Sequence, residues 1–533
     1  MGGVRELEKQ EKKPLSQRYE VGLMVVSVNI VAALVAGISI FPEKGKEVAS
    51  AAMHMMTYTF GSTMQFITVI ILIFLVVLGF SKYGSIRLGK EKPDYKTSSW
   101  VAMMFFTGLG AGTVYWAFLE WGYHFNAAPQ LEGAVVTEAY AYELSLAYAM
   151  FDWGPAAWAL LCVFVLPFAS HYYVKNDKEL RFSALCKYTV GDKAVKGLFG
   201  KVVDFIFIFA AIGSICITAG TSTSTVASAV ADLLGISPSF ALSVIILLGV
   251  SALYTVTSLL GIERGMRKIS DCNVYFCVFL LLFILVAGPT RFILDSLVNS
   301  LGVLTQEFVR MCTFTDPVGR GGYPQDWTVF YLVYWFVFGP FTGLFVAKIS
   351  KGRTIREIIL NMLVTGTAGL FFFFGIITAY EQSLRIDGVL DIPAMLTNGQ
   401  SENIASAVLQ TLPFPKFAIL LYLVVIILFL ATTLDSCSYT LASTVSKGLK
   451  EGEEPKRGLK FVWCLIGVAI PLAITFAGTD INTIKSVVLA TGLPLVIILA
   501  IIYYGFLREM KKDFGRKTQD QIIAESELPE NAW

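Results

Sequence analysis

The sequence predicts an all-α membrane protein with about twelve transmembrane helices, and three observations predict it. Hydrophobic residues make up 55% of the 533 residues and charged ones only 15%, with mean hydropathy +0.65, too little charge to cover a soluble chain of this length. Apolar runs recur at 21–41, 59–80, 98–124, 150–173, 202–234, 238–260, 266–289, 327–349, 356–379, 416–446, 459–477 and 484–507. Each is long enough to cross roughly 30 Å of hydrocarbon at about 1.5 Å per residue. Finally, with the N-terminus placed inside, 34 of the 42 Lys and Arg residues fall in inside segments. A bias of that strength fixes both the parity of the spans and a topology with both termini cytoplasmic.

The remaining segments follow in order. The polar first twenty residues carry no cleavable leader pattern, so they read as a cytoplasmic tail (1–20) ahead of two leading spans (21–80). Between the seventh and eighth spans, 291–312 places apolar residues at helical spacing with charges between them. It reads as an amphipathic helix on the membrane surface, within an extracytoplasmic loop over 290–326. A short tail over 508–533 closes the chain; its basic residues are ordinary positive-inside charge with some capacity for anionic lipid.

Composition also excludes function classes. A net charge of +2 gives no reason to expect nucleic acid. The eight cysteines have no zinc or disulfide spacing, the three histidines no metal-ligand spacing, and no nucleophile–base pair emerges. An enzyme is not expected.

What chemistry the spans hold lies in a few positions. Intramembrane acids are Glu120, Asp152, Asp204, Asp271 and Asp435. A carboxylate in hydrocarbon is costly, so each should face a cavity or a partner; Asp204 and Asp271, near span ends, read as structural. The third span carries Gly108, Gly110 and Gly112 at alternate positions. Glycines there either let a neighbouring helix approach closely or let the span unwind around a ligand. The eighth span has its own interruption at Gly339-Pro340, with Gly343 beyond. Two interruptions five spans apart favour unwinding at both. Aromatic residues gather around them: Trp116, Tyr123, Trp153, Trp158, Trp327, Tyr334, Trp335 and Phe338. Rings sharing a face suit a cation that cannot donate hydrogen bonds, a quaternary ammonium. In the tenth span, Thr432 and Thr433 read first as hydroxyls bonded back to the preceding turn.

The stretch Trp327–Glu357, WTVFYLVYWFVFGPFTGLFVAKISKGRTIRE, resembles the hallmark segment of the betaine/choline/carnitine transporter family. Gly108–Gly112 followed by Trp116 and Glu120, the Trp153-Gly154…Trp158 pair, Gly265–Ser270 and Thr432–Ser438 support the likeness from the first span to the last. The resemblance implies two leading helices plus two inverted five-helix repeats, over 98–289 and 327–507, in a leucine-transporter-like core. It implies a homotrimer in the bacterial-type cytoplasmic membrane, with the surface helix contributing contacts. It further implies substrate binding by Tyr123, Trp153, Trp158, Tyr334, Trp335 and Phe338 beside Gly108, Gly110 and Gly112, with Trp327 at a more peripheral position. Sodium-driven members bind their ion at positions matched here by Phe106, Leu109, Thr432 and Thr433, so sodium is the expected coupling ion and no other cofactor is.

The chain departs from the family pattern at several points. Tryptophans common in the family are replaced at Leu332 and Tyr334, Trp or Tyr at Phe338, and the family's His-Trp-Gly is Asp152-Trp153-Gly154. Asp152 either draws a cation inward or is solvated near the surface. Asn273 stands where sodium-independent exchangers place arginine, and Gly112 where choline-selective members carry Asp. Together these imply alternating-access import of a betaine-like quaternary-ammonium solute by sodium symport. The alternatives are sodium-independent exchange of carnitine and γ-butyrobetaine, or proton-coupled uptake of choline.

Overall fold

The computed structural model describes residues 19–108, 110–132, 136–237, 239–260, 267–447, 454–476, 486 and 489–526. Among these, the chain is helical throughout and forms no strand, apart from the isolated bridges Tyr19 to Ser446 and Arg87 to Thr354. Among the described residues, ten helices are long and apolar enough to cross a membrane. The third predicted span is broken into pieces too short to qualify alone, and the eleventh corresponds to the helix Arg457–Phe476. The protein is an integral membrane protein of all-α class.

The long helices begin where local chemistry favours it. Pro155 and Pro415 occupy first turns, where a missing N–H costs nothing. Thr354 and Glu357 form a reciprocal capping box at the start of the ninth span. Gly235 closes the fifth span, Leu198–Leu234, in the left-handed conformation at φ 67°.

Contacts between spans come in exchanged pairs. The fourth span packs on the eighth, and the ninth on the third; the fifth meets the eighth, and the tenth the third. The sixth touches the tenth as the eleventh touches the fifth, and the seventh touches the third as the twelfth touches the eighth. Adding five to a span's ordinal therefore reproduces its contacts, the signature of an internal repeat. Because five is odd, equivalent spans cross in opposite directions, which makes the repeat inverted.

The third span is broken as expected. The helix Thr97–Gly108 ends, Gly110 is extended at φ −102° and ψ 177°, and the chain resumes as Ala111–Trp116 and then Glu120–Glu132. The eighth span is not broken. Phe330–Ile349 is one continuous helix through Pro340, preceded by a π-turn over Pro324–Val329. Gly339 and Gly343 serve packing instead: a Cβ on them would lie 2.3 and 2.7 Å from the Phe164 side chain of the fourth span. The expectation of paired interruptions fails because close approach, the other use of intramembrane glycine, wins at that position.

The surface helix is present as Thr290–Thr313. Ile293, Leu304 and Met311 are buried, while Val298 and Val309 stay exposed. It packs on the helix Glu138–Asp152 and on the ninth span. That ninth span, Ile355–Ile386, contains a π-turn at Asn361–Gly366.

The end of the bundle bearing the basic loops is clamped by the hallmark segment. Leu88 N–H donates to the Arg353 carbonyl and Gly352 N–H to the Leu88 carbonyl, both at 2.8 Å, and Ile355 N–H donates to Ile86 at 3.0 Å. Arg353 donates to the Tyr95 carbonyl at 2.9 Å and to Thr97 Oγ1 at 3.1 Å, and its guanidinium lies 4.6 Å from the Trp100 ring centre. Trp100 in turn donates to Ser350 at 3.0 Å. Gly352 has φ 72°, and a Cβ there would meet the Glu91 carbonyl at 2.7 Å, so glycine is required twice over.

Candidate substrate and ion sites

Above the clamp, the glycine break faces the tenth span. Thr433 Oγ1 lies 3.3 Å from where a Cβ on Gly110 would sit. Thr432 Oγ1 donates to the Leu428 and Phe429 carbonyls at 3.0 Å, and Thr433 Oγ1 to Phe429 at 2.9 Å. Back-bonding uses each hydroxyl's hydrogen but leaves its oxygen lone pairs free to accept or to ligate. Leu109 lies outside the described residues, and for Phe106 only the helical backbone is described. Gly112 sits in the resumed helix with nothing within 4 Å of its Cβ position.

The predicted aromatic residues fall into two joined groups. Trp153 meets Trp335 edge-on with centres 4.9 Å apart; Trp335 touches Tyr334 at 5.2 Å, and Tyr334 stacks on Phe338 at 5.9 Å. Trp335 is aimed by its indole N–H, which donates to the Asp152 carbonyl at 2.8 Å. The second group is Tyr123 and Trp327 at 4.9 Å, with Trp116 6.3 Å from Trp327. Tyr331, one of the aromatic residues that precede Gly339 but outside the implied substrate set, joins the two, 6.0 Å from Trp153 and 6.3 Å from Trp327. Trp158 points elsewhere: its ring fills the space over Gly366, where a Cβ would approach it to 2.5 Å. The family resemblance placed Trp158 in the box with Trp153, but after the bend at Trp153-Gly154 its ring faces the ninth span.

The acids divide sharply. Asp204 is structural, as expected: it accepts from Arg181 at 2.6 Å and from the Ser183 N–H and hydroxyl, each at 2.8 Å. Glu120 Oε2 accepts from Trp153 at 2.8 Å and Tyr331 at 2.7 Å. Asp152 is not solvated; it is 3% exposed, and one carboxylate oxygen lies 3.3 Å from His124 Nε2. The same nitrogen lies 3.3 Å from Glu120 Oε1. No histidine role was legible from metal-ligand spacing, because Asp152 reaches the pair from a separate helix. The one signal was Glu120 and His124 at four-residue spacing, a shared helical face.

Further out, Glu381 is fully buried and accepts from Trp121 at 2.6 Å, and Gln382 donates to the Tyr142 carbonyl at 2.9 Å. A cavity of about 830 Å³ lies between the surface helix and the ninth span, lined by Glu138, Asp295, Arg385 and Asp391 among others. Its aromatic lining is Tyr142 and Phe292, with none of the predicted substrate-site rings, and charged and polar residues dominate its wall.

A family model described as BCCT, betaine/carnitine/choline family transporter, matches residues 22–515. The chain is 36% identical over 452 residues to an uncharacterized transporter, YeaV, of Escherichia coli K12, covering 84% of this chain and 92% of that one. It is 32% identical over 511 residues to a carnitine transporter of Acinetobacter baumannii, covering 96% and 92%. Among solved structures, the substrate-bound outward-open state of a Na+-coupled sialic acid symporter aligns with 90% of this chain and 95% of that chain, at 13% identity and TM-score 0.44. With the family model spanning nearly every helix described above, the chain belongs to the betaine/carnitine/choline transporter family, a family of membrane transporters rather than enzymes.

Proposed function

We propose that this protein imports a betaine-like quaternary-ammonium solute by sodium-coupled alternating access. The observation that carries the reading is the run of rings Trp153, Trp335, Tyr334 and Phe338, which offers π faces to a cation without hydrogens to donate. Tyr123 and Trp327 supply a peripheral waypoint. The N–H groups at the start of Ala111–Trp116, beside Gly110 and Gly112, suit the carboxylate of a zwitterion. Carnitine is the first solute to try, since the Acinetobacter relative is named for it.

Sodium is supported by Thr433 facing the glycine break and by Thr432 one residue before it; both offer hard oxygen ligands. The exchanger's arginine is replaced by a buried, uncharged Asn273. The basic loops favour a cytoplasmic location for both termini in a bacterial-type plasma membrane. The apolar outer face of Thr290–Thr313, with Val298 and Val309 exposed, suits contacts in a homotrimer.

Uptake of radiolabelled carnitine and glycine betaine into proteoliposomes tests the reading, with and without external sodium and with empty or preloaded vesicles. Sodium-dependent uptake into empty vesicles is expected. Transport that ignores sodium and requires internal substrate would replace symport with exchange.

A further inference from the structure

Glu120 Oε1, His124 Nε2 and Asp152 Oδ2 face one another in a buried cluster that neither the aromatic rings nor the hydroxyls of the tenth span contact through these atoms. All three are sealed from solvent, and their ligating atoms lie within 4.8 Å of one another. His124 Nε2 stands 3.3 Å from Glu120 Oε1 and 3.3 Å from Asp152 Oδ2. One N–H cannot serve two acceptors well at that distance. The edge of a tetrahedron with metal–ligand bonds of about 2.0–2.1 Å is, however, roughly 3.3–3.4 Å.

The surroundings are those of a supported ligand set. Tyr323 hydroxyl lies 2.6 Å from His124 Nδ1, fixing the ring and leaving Nε2 toward the carboxylates. Glu120 Oε2 is held by Trp153 and Tyr331, which leaves Oε1 toward the cluster. Asp152 supplies the independent observation: both its carboxylate oxygens are buried and accept no hydrogen bond, and the one cationic neighbour in reach, His124 Nε2, is shared with Glu120. One imidazole cannot balance two buried carboxylates, so the set is costly unless a further cation completes it.

The chemistry narrows the occupant. Three groups this close leave no room for a trimethylammonium head, and an imidazole nitrogen among two carboxylates suits a borderline transition-metal ion better than sodium. We propose that Glu120, His124 and Asp152 bind one divalent ion of Zn2+ type, with a fourth position open. Such an ion would tie the resumed helix of the third span to the bend at Trp153-Gly154. Half-buried Tyr123 and Trp327 cover the cluster on one side, Trp327 with its ring centre 5.1 Å from that of His124.

The test uses the full-length, tag-free protein in detergent, stripped with chelator and titrated with Co2+ as a spectroscopic probe. One equivalent should bind and give the intense visible bands of four-coordinate cobalt, and Zn2+ should displace it. Asp152→Asn and His124→Gln should each weaken binding by more than about 100-fold, and Tyr323→Phe by about 10–100-fold. Zn2+ should also raise the melting temperature of the native chain and not that of Asp152→Asn, whose own cooperative melting confirms its fold. A folded native chain that gives no visible bands, or an Asp152→Asn variant that binds Co2+ as tightly as the native chain, overturns the proposal. Neither readout depends on substrate transport, so loss of this site leaves the transport reading standing.

Discussion

The hallmark clamp and the ring-lined middle of the bundle are built on opposite terms. At the clamp, Gly352 N–H, Leu88 N–H, Ile355 N–H and the Arg353 guanidinium all have partners, and Thr354 and Glu357 cap each other. In the middle, Asp152 has no hydrogen-bond partner for its carboxylate, Glu381 keeps one oxygen unpartnered, and Thr432 and Thr433 keep lone pairs in reserve. Satisfied polar groups hold a shape; unsatisfied ones in a low-dielectric interior are poised for a ligand. The loop end of the hallmark segment, from Ser350 to Glu357, is thus a scaffold, while its aromatic stretch from Tyr334 to Phe338 belongs to the poised region.

Mutations should separate the two regions. The largest effect is expected from Arg353→Ala, which removes the bonds to the Tyr95 carbonyl and Thr97 hydroxyl and strips the Trp100 face. Stability should fall by about 3 kcal/mol, read as a lower melting temperature in detergent, while the folded fraction keeps its substrate Kd. A weakened Kd with stability intact would erase the contrast. Next, Trp335→Ala removes the ring between Trp153 and Tyr334. Binding of a trimethylammonium solute should weaken by about 2 kcal/mol, roughly 30-fold, by calorimetry; unchanged affinity would remove the rings from the binding site.

Thr433→Val keeps the shape and deletes the oxygen facing Gly110. The sodium concentration for half-maximal uptake should rise about tenfold, equivalent to about 1.4 kcal/mol, with no change in melting temperature. If the sodium response is unaltered, the hydroxyl is a helix back-bond and nothing more.

The smallest effect lies in the loop after the fourth span. Partial burial pushes the Asp177 carboxyl up, but the Lys187 ammonium bonded to it and the Glu179 N–H outweigh that, holding it below the usual carboxylate range. A depressed folded value means the contribution is present above about pH 4 and is lost as pH falls through that lower value. Asp177→Asn should therefore cost less than about 1 kcal/mol near pH 7. The difference from the native chain should vanish in acid, as followed by melting temperature across pH.

Composition and run length made the membrane class and the spans legible, because hydrocarbon thickness imposes a length that no other environment does. The hallmark segment made the family legible. What stayed hidden depended on contacts across the chain. Gly339-Pro340 read as a break because its role as a seat for Phe164 involves a span nearly two hundred residues earlier. Trp158 entered the box only through the family resemblance, and its seat over Gly366 depends on the ninth span, about two hundred residues further on. Asp152 was visible as a departure from the family, but its meeting with Glu120 and His124 was not, since two separate helices bring them together.

The π-turn at Asn361–Gly366 carries a further consequence. Such a turn holds one residue more than an α-turn, and one residue is about 100° of helix rotation. The wider turn absorbs that surplus within itself, so everything beyond it in the ninth span keeps the azimuth of an uninterrupted helix. Glu381 reaches Trp121, and Gln382 reaches Tyr142, on that preserved face. Deleting Val364 would let the turn close to α geometry and leave both contacts in place, whereas a residue added beyond the turn would rotate the carboxylate about 100° from its indole partner toward lipid. The turn behaves as a slip joint, taking up one residue of length without passing on its rotation.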